Sequence, residues 1–202
     1  MSRTNRKTNR KIAQGETTRA ELIAIGRRLF AAHGYDGTSI DAVLREAKMS
    51  RGALYHHFDG KDALFAAVLE TVEADVARVI AKAAAGVGDP VAAFRAGCDA
   101  WLRLARDPEV RRIALIDAPA VVGWQQWRAI DERYAFGLLK SGLQAAAAAG
   151  RLRADLVDVL AHMLLAALAE VALVVARAGD GAKAVKQGQA AVHELLDRLL
   201  GA

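Results

Sequence analysis

A chain of 202 residues is long for one domain and short for two, so length alone leaves both organisations open. The net charge of +5 is unevenly distributed, because residues 1–61 hold 12 of the 28 basic side chains but only 6 of the 23 acidic ones. The single cysteine excludes an internal disulfide, and few prolines, abundant alanine and few aromatic residues argue against a β-sandwich or barrel.

The excess positive charge includes an acid-free run at the N-terminus, formed by Arg3, Arg6, Lys7, Arg10 and Lys11. Such a run indicates either a polyanionic partner or a solvated tail. We expect residues 1–15 to form a basic flexible arm. The apolar segment that a secretory signal requires does not follow this run, so a cytoplasmic protein is expected.

The first helix is predicted from about residue 16. Thr18 and Glu21 have the spacing of a capping box, and apolar residues then recur at helical spacing up to Phe30. Gly34 is expected to end this helix, because glycine adopts the left-handed conformation that a C-terminal cap requires.

Two short helices and a long one are predicted next. Thr38 or Ser39 caps the second helix, and Ser50 caps a third that runs to Phe58. A fourth helix is predicted to begin near residue 61 and to end near Ala84. Three short helices within about forty residues, the last two closely joined, are typical of a helix-turn-helix module.

The rest of the chain also predicts helices, at about residues 90–106, 109–117, 122–149, 155–178 and 183–200. Pro119 is expected to break the chain between the second and third of these. The run Val159–Ala176 has Glu170 as its only charge, and we interpret it as a helix buried in a protein interior rather than a membrane span. The predicted fold class is all-α, with about nine helices.

The third helix carries side chains that suit a helix entering the major groove of DNA. Arg51 can present two donors to guanine, and the small residues Gly52 and Ala53 allow the backbone to approach the bases. Tyr55 offers a hydroxyl to a phosphate, and His56 can reach bases or backbone.

Thr38 and Lys61 are candidate phosphate clamps, because they lie at helix starts, where backbone amides and the helix dipole favour an anion. The predicted DNA-contacting residues are Thr38, Ser39, Ser50, Arg51, Gly52, Ala53, Tyr55, His56, His57 and Lys61.

Two segments carry a family resemblance. Residues 34–40 read Gly-Tyr-Asp-Gly-Thr-Ser-Ile, and residues 49–64 read Met-Ser-Arg-Gly-Ala-Leu-Tyr-His-His-Phe-Asp-Gly-Lys-Asp-Ala-Leu. Together they resemble the DNA-binding domain of the TetR family of transcriptional regulators. The resemblance covers about residues 16–76, with the helix-turn-helix at 39–58. It implies that residues 77–202 form a helical domain for effector binding and dimerisation.

Two positions depart from the family pattern. Residues 47–49 read Ala-Lys-Met where the family usually has Ala-Gly-Val, so the turn at Lys48 is either mildly strained or of another type. Leu44 stands where the family usually has alanine, which predicts a shift in how the second helix packs on the third.

The resemblance implies a sequence-specific DNA-binding transcriptional regulator, a repressor that a small-molecule effector releases from a palindromic operator. It also implies an effector pocket among residues 90–150, where aromatic and polar side chains cluster as in many small-molecule sites. The candidate pocket residues are Trp101, Arg112, Leu115, Trp124, Trp127, Arg128, Asp131 and Tyr134. We expect an effector of apolar or aromatic character.

The resemblance further implies that the last two helices form a four-helix bundle with a second copy of the chain. An apolar stripe on the last helix and the low polarity of the preceding one support such a homodimer. The candidate interface residues are Leu164, Leu168, Val171, Val185, Val192, Leu195, Leu196 and Leu199.

Other interpretations stay open: a non-specific architectural DNA-binding protein, an activator of the same fold, or a helical ligand-binding module or enzyme. We expect no catalytic residue and no cofactor, because the sequence lacks a phosphate loop, a nucleophile motif and suitably spaced carboxylates. A metal site at His56 and His57 is not expected, since no third ligand is evident. Cys98 stands among apolar residues and is expected to be a core thiol.

Overall fold

This computed structural model describes the backbone of residues 3–201 and the side chains of residues 14–201. Its α-helical segments are α1 (Arg3–Gly37), α2 (Ile40–Ala47), α3 (Arg51–Tyr55), α4 (Lys61–Ala84), α5 (Pro90–Leu104), α6 (Pro108–Val110), α7 (Ala118–Val121), α8 (Trp124–Asp131), α9 (Gly137–Ala148), α10 (Val157–Arg177) and α11 (Gly181–Leu200). Two π-helical segments, Arg111–Asp117 and Glu132–Phe136, join α6 to α7 and α8 to α9. The described residues therefore form nine continuous helices and contain no strand.

The chain divides into two compact units, Met1–Leu69 and Glu70–Ala202. The division falls within α4, whose first nine residues belong to unit 1 and whose remainder belongs to unit 2. The boundary predicted at residue 76 lies about two turns further along the same helix.

Helix α1 begins at Arg3, well before the predicted capping box. The Thr18 hydroxyl donates to the Gln14 carbonyl (3.0 Å), one turn back inside the helix, so the prediction that Thr18 caps a helix start is wrong. The preceding residues already continue the helix and leave no free amides to cap. The side chains of the basic arm lie outside the described residues. Gly34 interrupts α1 with the positive φ that glycine favours (73°), but its ψ of 176° is extended rather than left-handed helical, and the helical segment ends at Gly37.

The core of unit 1 is aromatic and aliphatic. The rings of Phe30 and Phe65 meet edge to face with centroids 5.1 Å apart, and Tyr35 meets Phe65 in the same way at 5.3 Å. Gly26 of α1 lies against Leu64 and Val68 of α4, where an added Cβ would be in van der Waals contact at 3.4 Å. This core fixes the position of α2 and α3.

Unit 2 is a helical bundle in which α5, α9, α10 and α11 pack together. The α10–α11 crossing needs a small residue, since a Cβ at Gly188 would lie 3.0 Å from Val171. Two tryptophans tie helices together through their indole N–H groups. Trp101 donates to the Leu168 carbonyl (3.1 Å) and Trp127 to the Ala114 carbonyl (2.8 Å).

The predicted break at Pro119 is wrong, because the helix runs through this residue from α6 into α7. The reason is the π-helical segment just before it, where the Ala118 amide donates to the Ile113 carbonyl, five residues back. This wider turn makes room for the proline ring, which lacks an N–H and would crowd a regular α-helical turn.

One helical stretch in the described part of the chain, Ala154–Arg177, is long and apolar enough to cross a membrane by length and composition alone. Half of its most apolar window is buried inside unit 2, as is typical of a core helix. Its other face exposes Val159, Met163 and Val174, each about 60 % exposed.

Candidate DNA-binding surface and effector cavity

The two helices of the helix-turn-helix start where the sequence predicted. The Ser39 hydroxyl accepts the Ala42 amide (3.1 Å) at the start of α2, and the Ser50 hydroxyl accepts the Ala53 amide (3.3 Å) at the start of α3. Each serine satisfies an amide that has no partner within its own helix. Between the two possible caps of α2, the structure selects Ser39.

The turn between α2 and α3 is strained at Lys48. This residue has φ 54° and ψ 37°, in the left-handed region, and it is the only described non-glycine residue with positive φ. The Lys48 and Met49 amides donate to the Arg45 and Leu44 carbonyls (3.4 and 3.1 Å), which closes the end of α2. The turn therefore keeps a conformation that suits glycine and places a lysine in it.

Helix α3 presents one face to solvent and the other to the core. Arg51, Gly52, Tyr55 and His56 are exposed, whereas Leu54 is fully buried. Ala53 and His57 are half-buried, Phe58 packs with Leu54, and the exposed Ser39 and Ser50 are occupied as caps. The helix ends at Tyr55, three residues earlier than predicted, and continues as a turn. Its exposed residues are those predicted to face the groove.

Arg51 is held by a carboxylate on the neighbouring helix. Its guanidinium lies 2.5 Å from Asp41 of α2, and both side chains are largely exposed. The hydrogen bond and the negative charge of Asp41 raise the pKa of Arg51 above its ordinary value. A guanine that binds Arg51 must therefore displace Asp41 or share the guanidinium with it.

Thr38 does not occupy the position of a phosphate clamp, which corrects its assignment. It is 2 % exposed, and its hydroxyl lies 2.9 Å from the Gly34 carbonyl and 3.1 Å from the Leu29 carbonyl. The hydroxyl is engaged by these two carbonyls of α1, so Thr38 stabilises the end of that helix.

Lys61 is half-buried at the start of α4, with its ammonium 3.9 Å from the centre of the Tyr35 ring. The Tyr35 hydroxyl donates to Asp62, and burial followed by this carboxylate raises the pKa of Tyr35 to about 12. Tyr35 thus orients Lys61 and stays neutral at physiological pH.

Unit 2 encloses a cavity of about 400 Å³. Its walls come from the second half of α4, from α5, α9 and α10, and from the end of α8 with the following π-helical segment. The lining is largely apolar, and Gly142 leaves space for the Phe94 ring, which a Cβ would overlap. This volume is within the usual range for small-molecule sites.

Three of the predicted pocket residues line this cavity: Trp101, Asp131 and Tyr134. The other five do not, and the assignment is corrected for Arg112, Leu115, Trp124, Trp127 and Arg128. Leu115 and Trp127 are packed into the core, and Trp124 is 59 % exposed on the outside of α8. The arginines lie outside the lining, and Arg128 pairs with Asp131 (3.4 Å).

Glu73 of α4 also lines the cavity without having been predicted there, as do Cys98, Ser141 and Gly142 on α5 and α9. Glu73 had a recognisable signal, because it follows Leu69 by four residues and precedes Val76 by three. It therefore interrupts the apolar stripe of α4 with a carboxyl group.

Three titratable groups of the cavity, Glu73, Asp131 and Cys98, have raised pKa values. Burial, and secondarily the charge of Asp131, raises the pKa of Glu73 to about 8. Burial raises the pKa of Asp131 to about 6, although Arg128 opposes this shift. Burial raises the pKa of Cys98 to about 12, so its thiol is protonated and unreactive at neutral pH, as a core thiol should be.

Half of the residues predicted for the dimer interface are buried within the chain and are not available to a partner. Leu164, Leu168, Val192 and Leu196 are buried within the chain itself, which corrects their assignment. Val171, Val185 and Leu199 are half-buried, and Leu195 is 45 % exposed. Val192 and Leu196 of the α11 stripe face its own bundle, Leu195 does not, and α10 adds three strongly exposed apolar residues, Val159, Met163 and Val174.

Family profiles match both units. Residues 22–68 match the profile described as bacterial regulatory proteins, tetR family. Residues 91–199 match the profile described as Tetracyclin repressor-like, C-terminal domain. The second match alone covers more than half of the chain.

Individual relatives agree with these matches. A TetR-family transcriptional regulator from Pectobacterium atrosepticum is 34 % identical, with a TM-score of 0.83 over 93 % of this chain and 96 % of that one. The HTH-type transcriptional repressor NicS of Pseudomonas putida is 28 % identical over 81 % of this chain and 79 % of its own length. The HTH-type transcriptional repressor AcnR of Corynebacterium diphtheriae is 39 % identical, but the match spans only 34 % of its length.

Proposed function

The chain belongs to the TetR family and is a helix-turn-helix transcriptional regulator, and on that premise we propose how it works. It binds a palindromic operator as a homodimer, represses transcription there, and is released by an apolar or aromatic small molecule bound in the cavity of unit 2. The observation that carries this proposal is the exposed face of α3, fixed by the Ser50 cap on one side and by the buried Leu54 on the other.

Base recognition rests on Arg51 and the residues beside it. The guanidinium can exchange Asp41 for guanine O6 and N7, which costs little because the pair is exposed to water. Tyr55 and His56 are exposed on the same short helix, and Lys61 is oriented by Tyr35 at the next helix start. Arg51 therefore recognises the base sequence, and Lys61 binds a backbone phosphate.

Dimerisation is supported by the uncovered apolar face of α10. Val159, Met163 and Val174 form a surface that water solvates poorly, and a second copy of the chain would cover it. A two-fold dimer would present two α3 helices to half-sites one helical turn apart, which accounts for a palindromic operator.

Helix α4 supports the proposal that effector binding changes operator binding. This helix begins at Lys61 in unit 1, and its second half lines the cavity. An effector that favours the non-binding conformation by about 1–3 kcal/mol would weaken operator affinity about 5- to 150-fold. No catalytic step is part of this function, and the proposed location is the cytoplasm, where the operator lies.

The experiment is selection of bound duplexes from a random pool, followed by mobility shifts with the selected operator and its variants. Arg51→Ala should lose discrimination at one position of each half-site, while Lys61→Ala should weaken binding to all sequences alike. Equal losses for the two variants would refute their separate roles. A non-specific architectural protein would instead select no palindrome.

A further inference from the structure

The ionisable groups in the mainly apolar cavity of unit 2 are acidic rather than basic. Of the groups that line it, Glu73 and Asp131 are carboxylic acids, and no lysine, arginine or histidine among the described residues lines it. Asp131 has a partner, because Arg128 reaches it from outside the lining. The cavity therefore holds acid without a cation of its own.

Of the two carboxyl groups, that of Glu73 has no partner in the part of the chain that the structure describes. It is 5 % exposed, it lines the cavity, and it has no hydrogen bond or ion pair with any described residue. A carboxyl group in apolar surroundings without a partner is costly to ionise. A ligand that supplies the missing partner would remove this cost when it binds.

We propose that the effector is a lipophilic amine, whose protonated nitrogen lies against Glu73 while its apolar body fills the rest of the cavity. This inference rests on the proposed function of the cavity as the effector site. A cation suits the site because it satisfies Glu73 and is attracted by Asp131 as well. Aromatic side chains in the lining, Trp101 and Tyr134, favour a cation further. A carboxylate or phosphate effector is disfavoured, because it would be buried beside two acids.

The amine also makes binding dependent on pH. Glu73 keeps its proton up to about pH 8 in the empty cavity, and an ammonium favours its ionised form. Binding should therefore release a proton from Glu73 near neutral pH, and amine affinity should rise about tenfold between about pH 6 and pH 7. The other titratable groups in the lining are Asp131, Tyr134 and Cys98, while α9 and α10 contribute none to it.

The test uses three probes with one apolar body: phenylbutylamine, phenylbutanol and phenylbutyrate. Calorimetric titration of the full chain at about pH 8 should show the amine binding about 10- to 100-fold more tightly than the alcohol. The carboxylate should bind most weakly. Repeating the amine titration in buffers of different ionisation enthalpy measures the released proton.

Two variants test whether the preference for the amine over the alcohol comes from the carboxyl group of Glu73. Glu73→Gln should bring the amine-to-alcohol affinity ratio close to one and abolish proton release. Glu70→Gln is the matched control, since Glu70 lies on the same helix but is only half-buried and pairs with Arg133 (2.7 Å). This control should keep the wild-type ratio.

The outcomes separate the two proposals. If the alcohol or the carboxylate binds as tightly as the amine, or if Glu73→Gln keeps the preference, the amine proposal is overturned and the cavity remains an effector site. If none of the three probes binds, the cavity does not accept such molecules, and the proposed effector function fails together with the amine proposal.

Discussion

Replacing Lys48 by glycine should stabilise the protein, because Lys48 has the left-handed backbone conformation in the α2–α3 turn. A side chain with a Cβ pays about 1–2 kcal/mol in that region, whereas glycine enters it without strain. Glycine loses more backbone freedom on folding, which offsets about 0.5–1 kcal/mol of the gain. The expected net stabilisation is about 0.5–1 kcal/mol.

The matched control is Lys48→Ala. Alanine removes the same charge and the same long side chain as glycine does, but it keeps the Cβ that causes the strain. Lys48 is exposed, so loss of its side chain should itself change stability by less than about 0.5 kcal/mol. The difference in unfolding free energy between the two variants measures the backbone strain at position 48.

Urea unfolding followed by circular dichroism measures both variants. Lys48→Gly should raise the urea concentration at the unfolding midpoint without changing the dependence of unfolding free energy on urea. Its melting temperature should rise by about 1–4 °C. If Lys48→Ala gains as much as Lys48→Gly, the cause is the lost side chain rather than the backbone. If Lys48→Gly is less stable than the natural protein, the turn is not strained and the reasoning is refuted.

Three further predictions concern the groove face, the α10 surface and the cavity. Asp41→Asn should raise operator affinity about two- to tenfold in mobility shifts, because it frees Arg51 and removes a negative charge from the surface proposed to bind DNA. Met163→Glu should convert the proposed dimer to monomer in sedimentation, because it places a charge on the uncovered face of α10. Thermal stability should fall as pH rises from about 5 to 8, because folded Glu73 keeps its proton to about pH 8 while the unfolded chain releases it near 4.5. Glu73→Gln should flatten that dependence.

Each of these has a control within the same chain. Asp155→Asn, an exposed acid of unit 2 paired with Arg153, should leave operator affinity unchanged. Gln125→Glu adds a charge to an exposed position of α8 and should leave the dimer intact. A dimer that survives Met163→Glu would refute the α10 interface, and an unchanged pH profile in Glu73→Gln would refute the buried acid as its source.

The local features of the fold could be predicted from the sequence. Ser39 and Ser50 cap α2 and α3, Gly34 interrupts α1, and α4 ends at Ala84, because these features depend on residues within one or two turns of one another. The exposed face of α3 was predicted for the same reason, since Leu54 and Phe58 had to face the core.

The cavity and the uncovered face could not be predicted in this way. Trp127 was expected in the pocket and is core, whereas Glu73 lies in the cavity, because helices distant in sequence determine which faces meet. The apolar stripe of α11 was expected at a partner, but Val192 and Leu196 pack on its own bundle, whereas Met163 of α10 is exposed. Periodicity identifies an apolar face, but only the packing of the whole chain decides what covers it.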